Sequence, residues 1–93
     1  MDIQIDPHTL ERAEERGTNA DEIRDVILNG KTFGAKGGRL AKSKVYEFKQ
    51  QRLGQYYYQK RVEVIYAIEN NVAITVTAYV YYGRWEREDA NHL

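Results

Sequence analysis

The hydrophobic period of the chain changes once, near Gly30, and this change limits what the chain can fold into. Before Gly30 the apolar residues recur every three or four positions, as on one face of a helix. After Gly30 they alternate with polar residues, most clearly over 62–68 and 72–80. The pattern predicts an α+β domain in which two N-terminal helices pack on one face of a four-stranded antiparallel sheet, in the order ααββββ.

Capping signals set the bounds of the two predicted helices. Asp6 and Pro7 suit the cap and the first position of a helix that runs to about residue 16. Gly17 suits the left-handed conformation that ends such a helix. Asn19, followed three residues later by Glu22, predicts a capping box at the start of the second helix, which ends at Gly30.

Glycine and asparagine mark the turns between the strands. The lysine-rich stretch around Gly37-Gly38 is interpreted as a flexible basic loop, since it lacks the spacing of a Walker phosphate loop. The remaining pattern predicts a short strand or loop at residues 31–35 and strands at residues 45–50, 55–69 and 72–82.

The loop of the last hairpin decides which face of the sheet is buried. A three-residue loop at residues 69–71, with Asn71 left-handed, places the aliphatic residues of both strands on one face. We therefore expect Ile27, Val64 and Val76 in the core. The opposite face, which no helix covers, should collect the following residues: Arg61, Glu63, Ile65, Ala67, Ala73, Thr75, Thr77, Tyr79 and Tyr81.

The zero net charge conceals a strong asymmetry along the chain. Residues 1–30 carry eight acidic and three basic side chains, whereas residues 31–61 carry nine basic side chains and one acidic. Residues 62–93 are again acidic, with five acidic and two basic side chains. A basic centre between acidic flanks indicates either an anionic ligand or an ordinary solvated face.

The length of 93 residues predicts a single domain spanning residues 1–93, with modest stability or stability shared with a partner. The chain has no cysteine and two histidines, so a disulfide framework, a catalytic thiol and a closed zinc site are not expected. Neither a signal peptide nor a membrane-spanning run is visible. We expect a cytoplasmic protein without metal or other cofactor.

His8, Arg12 and Arg16 recur every four residues and share one edge of the first helix. A histidine can shuttle a proton, and arginines can hold phosphate oxygens, so this edge suits phosphodiester chemistry. The alternative is that both arginines pair with neighbouring carboxylates, as is common on surface helices.

A second candidate group lies on the strands. Thr75, Thr77, Tyr79 and Tyr81 alternate along the last strand, and strands favour such residues without any functional reason. Beside Lys60 and Arg61, however, their hydroxyls and rings could bind phosphate and stack on bases. Tyrosine, tryptophan and arginine are also preferred at protein–protein interfaces, so a docking surface is the competing interpretation.

The segments HTLERAEERG, DEIRDVILNG and RVEVIYAIENNVAITVTAYV together resemble the domain-of-unknown-function family 4258, over about residues 7–82. That family is similar to the RelE-like branch of the barnase–EndoU–colicin–RelE fold, which includes metal-independent ribonuclease toxins. The resemblance implies a candidate catalytic site at His8 and Arg12 on the helix and at Thr77 and Tyr79 on the last strand.

Two functions stay open at this point. The first is a metal-independent endoribonuclease in which His8 is the acid or base, Arg12 and Arg61 clamp phosphate, and Tyr79 stacks or donates a proton. Arg16, Lys60, Arg61 and Tyr81 would then bind RNA. The second is a non-catalytic module that docks a protein through its tyrosine-rich face. The expected partners are RNA, a cognate antitoxin or immunity protein, or a second copy of the chain, and no membrane.

Overall fold

The computed structural model describes residues 1–34 and 36–85. This part of the chain contains two helices and five strands; four strands follow the helices, as predicted, and one short strand precedes them, which was not predicted. The elements are β1 (Asp2–Gln4), α1 (Pro7–Arg16), α2 (Ala20–Asn29), β2 (Lys31–Phe33), β3 (Leu40–Arg52), β4 (Gln55–Glu69) and β5 (Val72–Gly83).

The sheet has five strands in the order β1-β5-β4-β3-β2. Strands β2 to β5 pair antiparallel, whereas β1 pairs parallel with β5 over residues 72–74. The α+β class is confirmed, but the prediction of four antiparallel strands was wrong, because the sheet is mixed and has a fifth strand at its edge. Three residues are too few to show an alternating pattern, so β1 gives no signal in the sequence.

The predicted caps of α1 form. The Asp6 carboxylate accepts hydrogen bonds from the backbone N–H groups of His8 and Thr9, at 3.0 and 3.3 Å. Pro7 occupies the first turn, and Gly17 ends the helix with a φ of 102°. The bounds of α1 therefore follow from local chemistry alone.

The predicted capping box of α2 forms only in part. The Asn19 side chain accepts from the backbone N–H of Glu22 at 2.9 Å, so the cap itself is present. The Glu22 carboxylate does not return this bond; it accepts from the Thr18 hydroxyl and from the Lys60 ammonium, each at 2.8 Å. A cation on the sheet competes successfully for the carboxylate that the box would have used.

The core lies between the two helices and one face of the sheet. Its fully buried aliphatic members include Ile23, Val26, Val62 and Val64, which have no exposed surface. Ile27 and Val64 are in the core, as predicted. This layer of helices leaves the opposite face of the sheet without a helical cover. We call the two sides the covered face and the open face.

The turn between β4 and β5 differs from the prediction. Glu69 pairs with Val72, so the loop has two residues, Asn70 and Asn71, both with positive φ (51° and 65°). Asparagine tolerates this conformation, and such loops are the common hairpin turns. The three-residue loop was therefore wrong, although Asn71 is left-handed as expected.

A β-bulge in β5 replaces the extra loop residue. Ile65 pairs with Thr77 and Tyr66 pairs with Thr75, which leaves Val76 unpaired between them. Val76 is consequently 38% exposed, and its predicted place in the core was wrong. On the loop side of the bulge, Ala73 and Thr75 are on the covered face and buried, rather than on the open face as expected.

The lysine-rich segment is also more regular than predicted. Strand β3 begins at Leu40, so Ala41 to Lys44 belong to the sheet and not to a flexible loop. The short predicted strand at residues 31–35 is present as β2 up to Phe33, and Ala35 lies outside the described residues. Across the described part of the chain, no helix is long and apolar enough to cross a membrane.

Candidate functional site

Lys60 and Arg61 are consecutive in β4, so their side chains point to opposite faces of the sheet. Lys60 lies on the covered face opposite Tyr82, and Arg61 lies on the open face opposite Tyr81. The sequence-based hypothesis placed both cations beside the tyrosines of one binding surface. The structure brings only Arg61 to that surface.

On the covered face, Lys60 connects the sheet to both helices. Its ammonium group donates to the carbonyl of Gly17 at 2.9 Å and to the Glu22 carboxylate at 2.8 Å. The Lys60 side chain is 11% exposed, and that of Glu22 is 22% exposed. A cation with these partners holds the end of α1 and the start of α2 on the sheet, and is not available to RNA.

A second polar cluster on the covered face surrounds Asp25. Its carboxylate accepts from the Lys44 ammonium at 2.6 Å, from the Tyr46 hydroxyl at 2.5 Å and from the Asn29 amide at 2.8 Å. These bonds, led by the one from Lys44, lower the pKa of Asp25 to about 2. Burial and the same carboxylate raise the pKa of Tyr46.

These contacts explain much of the charge asymmetry along the chain. Lys42 donates to the carbonyl of Ile27 near the C-terminal end of α2, where a cation is favoured by the helix dipole. Arg52 reaches back to the carbonyl of Glu15 at 3.1 Å. Four of the nine basic side chains of residues 31–61 therefore bind groups of the two helices, and Lys44 and Lys60 bind carboxylates there, so the asymmetry by itself does not require an anionic ligand.

The open face carries a different polar group, centred on Arg61. Its guanidinium lies 3.3 Å from the Glu63 carboxylate and donates to the Ser43 hydroxyl at 3.2 Å. The atom nearest to Glu63 is the buried Nε, but the angle of this contact is not that of a hydrogen bond, so Nε has no hydrogen-bond acceptor among the described residues. The guanidinium also lies 5.8 Å from the centre of the Phe33 ring. Arg61 is thus held in place, and its charge is partly balanced by Glu63.

Helix α1 runs along the outer edge of β5, where β1 no longer pairs. The Thr9 hydroxyl donates to the carbonyl of the bulged Val76 at 3.3 Å, and Arg16 donates to the carbonyl of Ala78 at 2.7 Å. Helix side chains therefore satisfy edge carbonyls that would otherwise be open to another strand. This arrangement also sets α1 directly beside the open-face residues of β5.

Arg16 joins the helix edge to the open face. Its guanidinium lies 5.2 Å from the centre of the Tyr79 ring, and Tyr79 is followed on the same face by Tyr81, with ring centres 6.4 Å apart. His8 and Arg12 lie two turns and one turn before Arg16 on the same side of α1. Both are exposed, and within residues 1–34 and 36–85 neither side chain has a hydrogen-bond or ion-pair partner.

The structure therefore brings most of the predicted site residues to one region. The members of this region, which we call the α1–β5 edge, are His8, Arg12, Arg16, Thr77, Tyr79 and Tyr81. Arg61 adjoins them through its pairing with Tyr81, and Lys60 lies apart on the covered face. The proposed carboxylate partners of the arginines on α1 are not observed among the described residues.

Two residues of the open face were not predicted to act with the site. Ser43 and Glu63 orient Arg61, and they pair directly across β3 and β4. The alternation of β4 places Glu63 beside Arg61 on one face, which is a usable signal. The place of Ser43 depends on the register of β3, which the sequence pattern does not supply.

Acidic and histidine side chains do not converge anywhere in the described part of the chain. No group of three or more histidine, cysteine, aspartate or glutamate residues there could hold a metal ion. The chemistry available at the α1–β5 edge is that of an imidazole, two arginines, hydroxyl groups and aromatic rings.

Comparison with known proteins gives one result. Neither a curated protein nor a solved structure matches the chain. The family described as a domain of unknown function, DUF4258, matches residues 5–80, which include α1, α2 and β5 up to Val80, with the bulge and Tyr79 but not Tyr81. The match covers most of the chain, and on that basis the chain belongs to the DUF4258 family.

Proposed function

We propose that the protein is a metal-independent endoribonuclease of the RelE-like toxin type, acting on RNA in the cytoplasm. The observation that carries the proposal is the α1–β5 edge, where Arg16 lies over Tyr79 and the exposed His8 and Arg12 lie on the same side of the helix. The similarity of the family to RelE-like toxins supports the same function.

The proposed reaction is an attack by a ribose 2′-hydroxyl on the adjacent phosphorus atom. His8 takes the proton of the hydroxyl as the new oxygen–phosphorus bond forms. Arg12 stabilises the negative charge that develops on the phosphorane oxygens. Tyr79 gives a proton to the 5′ oxygen as its bond to phosphorus breaks. The products are a 2′,3′-cyclic phosphate and a free 5′-hydroxyl, so atoms and electrons balance.

The contacts of Arg16 give it a positioning role in this proposal. Its bond to the carbonyl of Ala78 and its place over the Tyr79 ring fix the distance between α1 and β5. Thr77, one alternation before Tyr79, offers a hydroxyl to phosphate or ribose. Arg61 supplies a second positive charge farther along the open face.

The decisive experiment measures RNA cleavage by the purified protein and by His8→Ala and Arg12→Ala. Both side chains are exposed and unpaired within the described residues, so we expect each variant to keep its fold and lose cleavage by about 100-fold or more. Arg24→Ala is the matched control, because Arg24 is an exposed arginine on the other helix. EDTA should leave cleavage unchanged.

Full cleavage by His8→Ala, or no cleavage and no growth arrest by the wild-type protein, would contradict the proposal. Thermal unfolding followed by circular dichroism shows whether each variant is folded. Loss of activity in Arg24→Ala as well would indicate a general loss of fold or solubility instead of a site at α1.

A second candidate function is the docking of a protein partner, such as an antitoxin or immunity protein. It is supported by Tyr79 and Tyr81, which are 38% and 48% exposed on the same face as the partly exposed Ile65 and Ile74. Co-purification with the product of an adjacent gene tests this function. We expect Tyr81→Ser to abolish such a complex without unfolding the domain.

A further inference from the structure

The open face continues past Arg61 into a pocket near the start of β4, outside the α1–β5 edge. Its volume is about 350 Å³, which lies within the range of small-molecule sites. Polar, charged and aromatic side chains line it together: Glu47, Lys49, Tyr58, Gln59, Arg84 and Trp85.

The amide of Gln59 has a fixed orientation in this pocket. Gln59 is 8% exposed, and its side-chain oxygen accepts a hydrogen bond from the backbone N–H of Trp85 at 2.5 Å. This bond leaves the amide nitrogen as the donor, and no acceptor for it lies within residues 1–34 and 36–85. The amide nitrogen itself is not fully buried, so it can donate to a ligand or to water that enters the pocket.

An acceptor stands next to this donor. Glu47 is the direct cross-strand partner of Gln59 in the β3–β4 ladder, and it is exposed. Directly opposed residues have their Cβ atoms about 5 Å apart. The pocket therefore presents a donor and a carboxylate acceptor side by side, which matches a planar group that carries an acceptor beside an N–H donor.

Rings and cations complete the pocket. The indole ring of Trp85 lies next to Gly83. The Arg84 guanidinium lies 4.8 Å from the centre of the Tyr58 ring, so a positive charge stands at the rim beside an aromatic wall. Lys49 contributes a second cation to the lining.

We infer that this pocket binds one nucleobase of an RNA strand, with the attached phosphate held by Arg84 and Lys49. The edge of the base would accept from Gln59 and donate to Glu47, and its ring would stack on an aromatic side chain. The inference deepens the proposed function, and its role in RNA cleavage rests on that function. Nucleotide binding itself can be tested without any cleavage.

The position of the pocket fits a strand that continues to the α1–β5 edge. Gln59 and Glu63 are four residues apart on β4 and share the open face, a separation of about 13 Å. Glu63 pairs directly with Tyr79. An RNA strand of a few nucleotides can therefore place one base in the pocket and a phosphate near Tyr79.

Trp85 is the single tryptophan of the chain and lines the pocket, so its fluorescence reports binding there. The test is a titration of the full chain with each of GMP, AMP, CMP and UMP, and with ribose 5-phosphate for comparison. The Trp85 indole N–H resonance is followed in parallel by NMR. We expect a saturable change with at least one nucleotide and at least tenfold weaker binding of ribose 5-phosphate.

Glu47→Gln keeps the size of the side chain and removes the carboxylate, and we expect it to weaken nucleotide binding about tenfold. Glu69→Gln, an exposed residue at the far end of β4, is the control and should bind as wild type does. Equal binding of ribose 5-phosphate and the nucleotides, or no response to any of them at millimolar concentration, would overturn the inference.

The same titration separates this inference from the proposed function. If the wild-type protein binds a nucleotide but does not cleave RNA, the nucleotide-binding pocket is supported and the proposed ribonuclease function is contradicted. If the protein cleaves RNA but binds no nucleotide, the proposed ribonuclease function is supported and the nucleotide-binding pocket is contradicted.

Discussion

The covered and open faces of the sheet hold similar polar side chains but use them differently. On the covered face, the cations of Lys44 and Lys60 each bind a carboxylate of α2, and the Lys60 ammonium also meets a helix-end carbonyl. On the open face, Arg61 has only its neighbours on the sheet, and Gln59 keeps a donor without a described partner. The charged sheet residues under the helices therefore stabilise the fold, and among the sheet residues the candidates for function are those on the open face.

The largest expected effect is a difference in stability between substitutions at a buried valine of β4 and at an exposed valine of β5. Val64 has no exposed surface, so Val64→Ala should lower the free energy of unfolding by about 2–3 kcal/mol. Val76 is 38% exposed at the bulge, so Val76→Ala should lower the free energy of unfolding by no more than about 0.5 kcal/mol. Urea denaturation measures both. Equal losses would mean that the bulge does not turn Val76 out of the core.

A smaller effect compares the two adjacent cations of β4. Lys60→Met removes hydrogen bonds to Glu22 and to Gly17, and should cost about 1–2 kcal/mol of stability. Arg61→Met should cost less, because its partners lie on the open face, but it should weaken RNA binding. Urea denaturation and an RNA titration on the same two proteins provide the measurement. A stable Lys60→Met protein with weakened RNA binding would reverse the assignment of the two faces.

The smallest effect is a dependence of stability on pH at the Asp25 cluster. The pKa of Asp25 is lowered from 3.8 to about 2 in the folded chain. The cluster therefore stabilises the fold above about pH 4, and this contribution is lost as the pH falls towards 2. Asp25→Asn should flatten the dependence of the unfolding free energy on pH over that interval. An unchanged slope would show that other carboxylates dominate.

How far the sequence predicts the fold depends on how local each signal is. The caps at Asp6, Gly17 and Asn19 involve groups within a few residues, and all three are correct. The bulge at Val76 is different, because the carbonyl that it exposes is satisfied by Thr9, 67 residues away. No local pattern carries that contact, so the alternation of aliphatic residues in β5 suggested a continuous strand.

The candidate site shows the same division. The spacing of His8, Arg12 and Arg16 predicted one helix edge, and the alternation of β5 predicted that Thr77, Tyr79 and Tyr81 share a face. That these two groups meet depends on α1 lying along the edge of β5, which is a tertiary contact. Lys60 was misplaced for a simpler reason, since strand alternation already sets it opposite to Arg61.

The bulge also bears on which changes in chain length the domain can accept. On either side of Val76, Thr75 pairs with Tyr66 and Thr77 pairs with Ile65. Ile65 and Tyr66 are consecutive on β4, so Val76 has no partner of its own there. A relative that lacks this one residue would keep an unbroken ladder, and no other side chain would change faces. It would lose the carbonyl that Thr9 binds, so among aligned relatives a one-residue gap here should accompany loss of the hydroxyl at position 9.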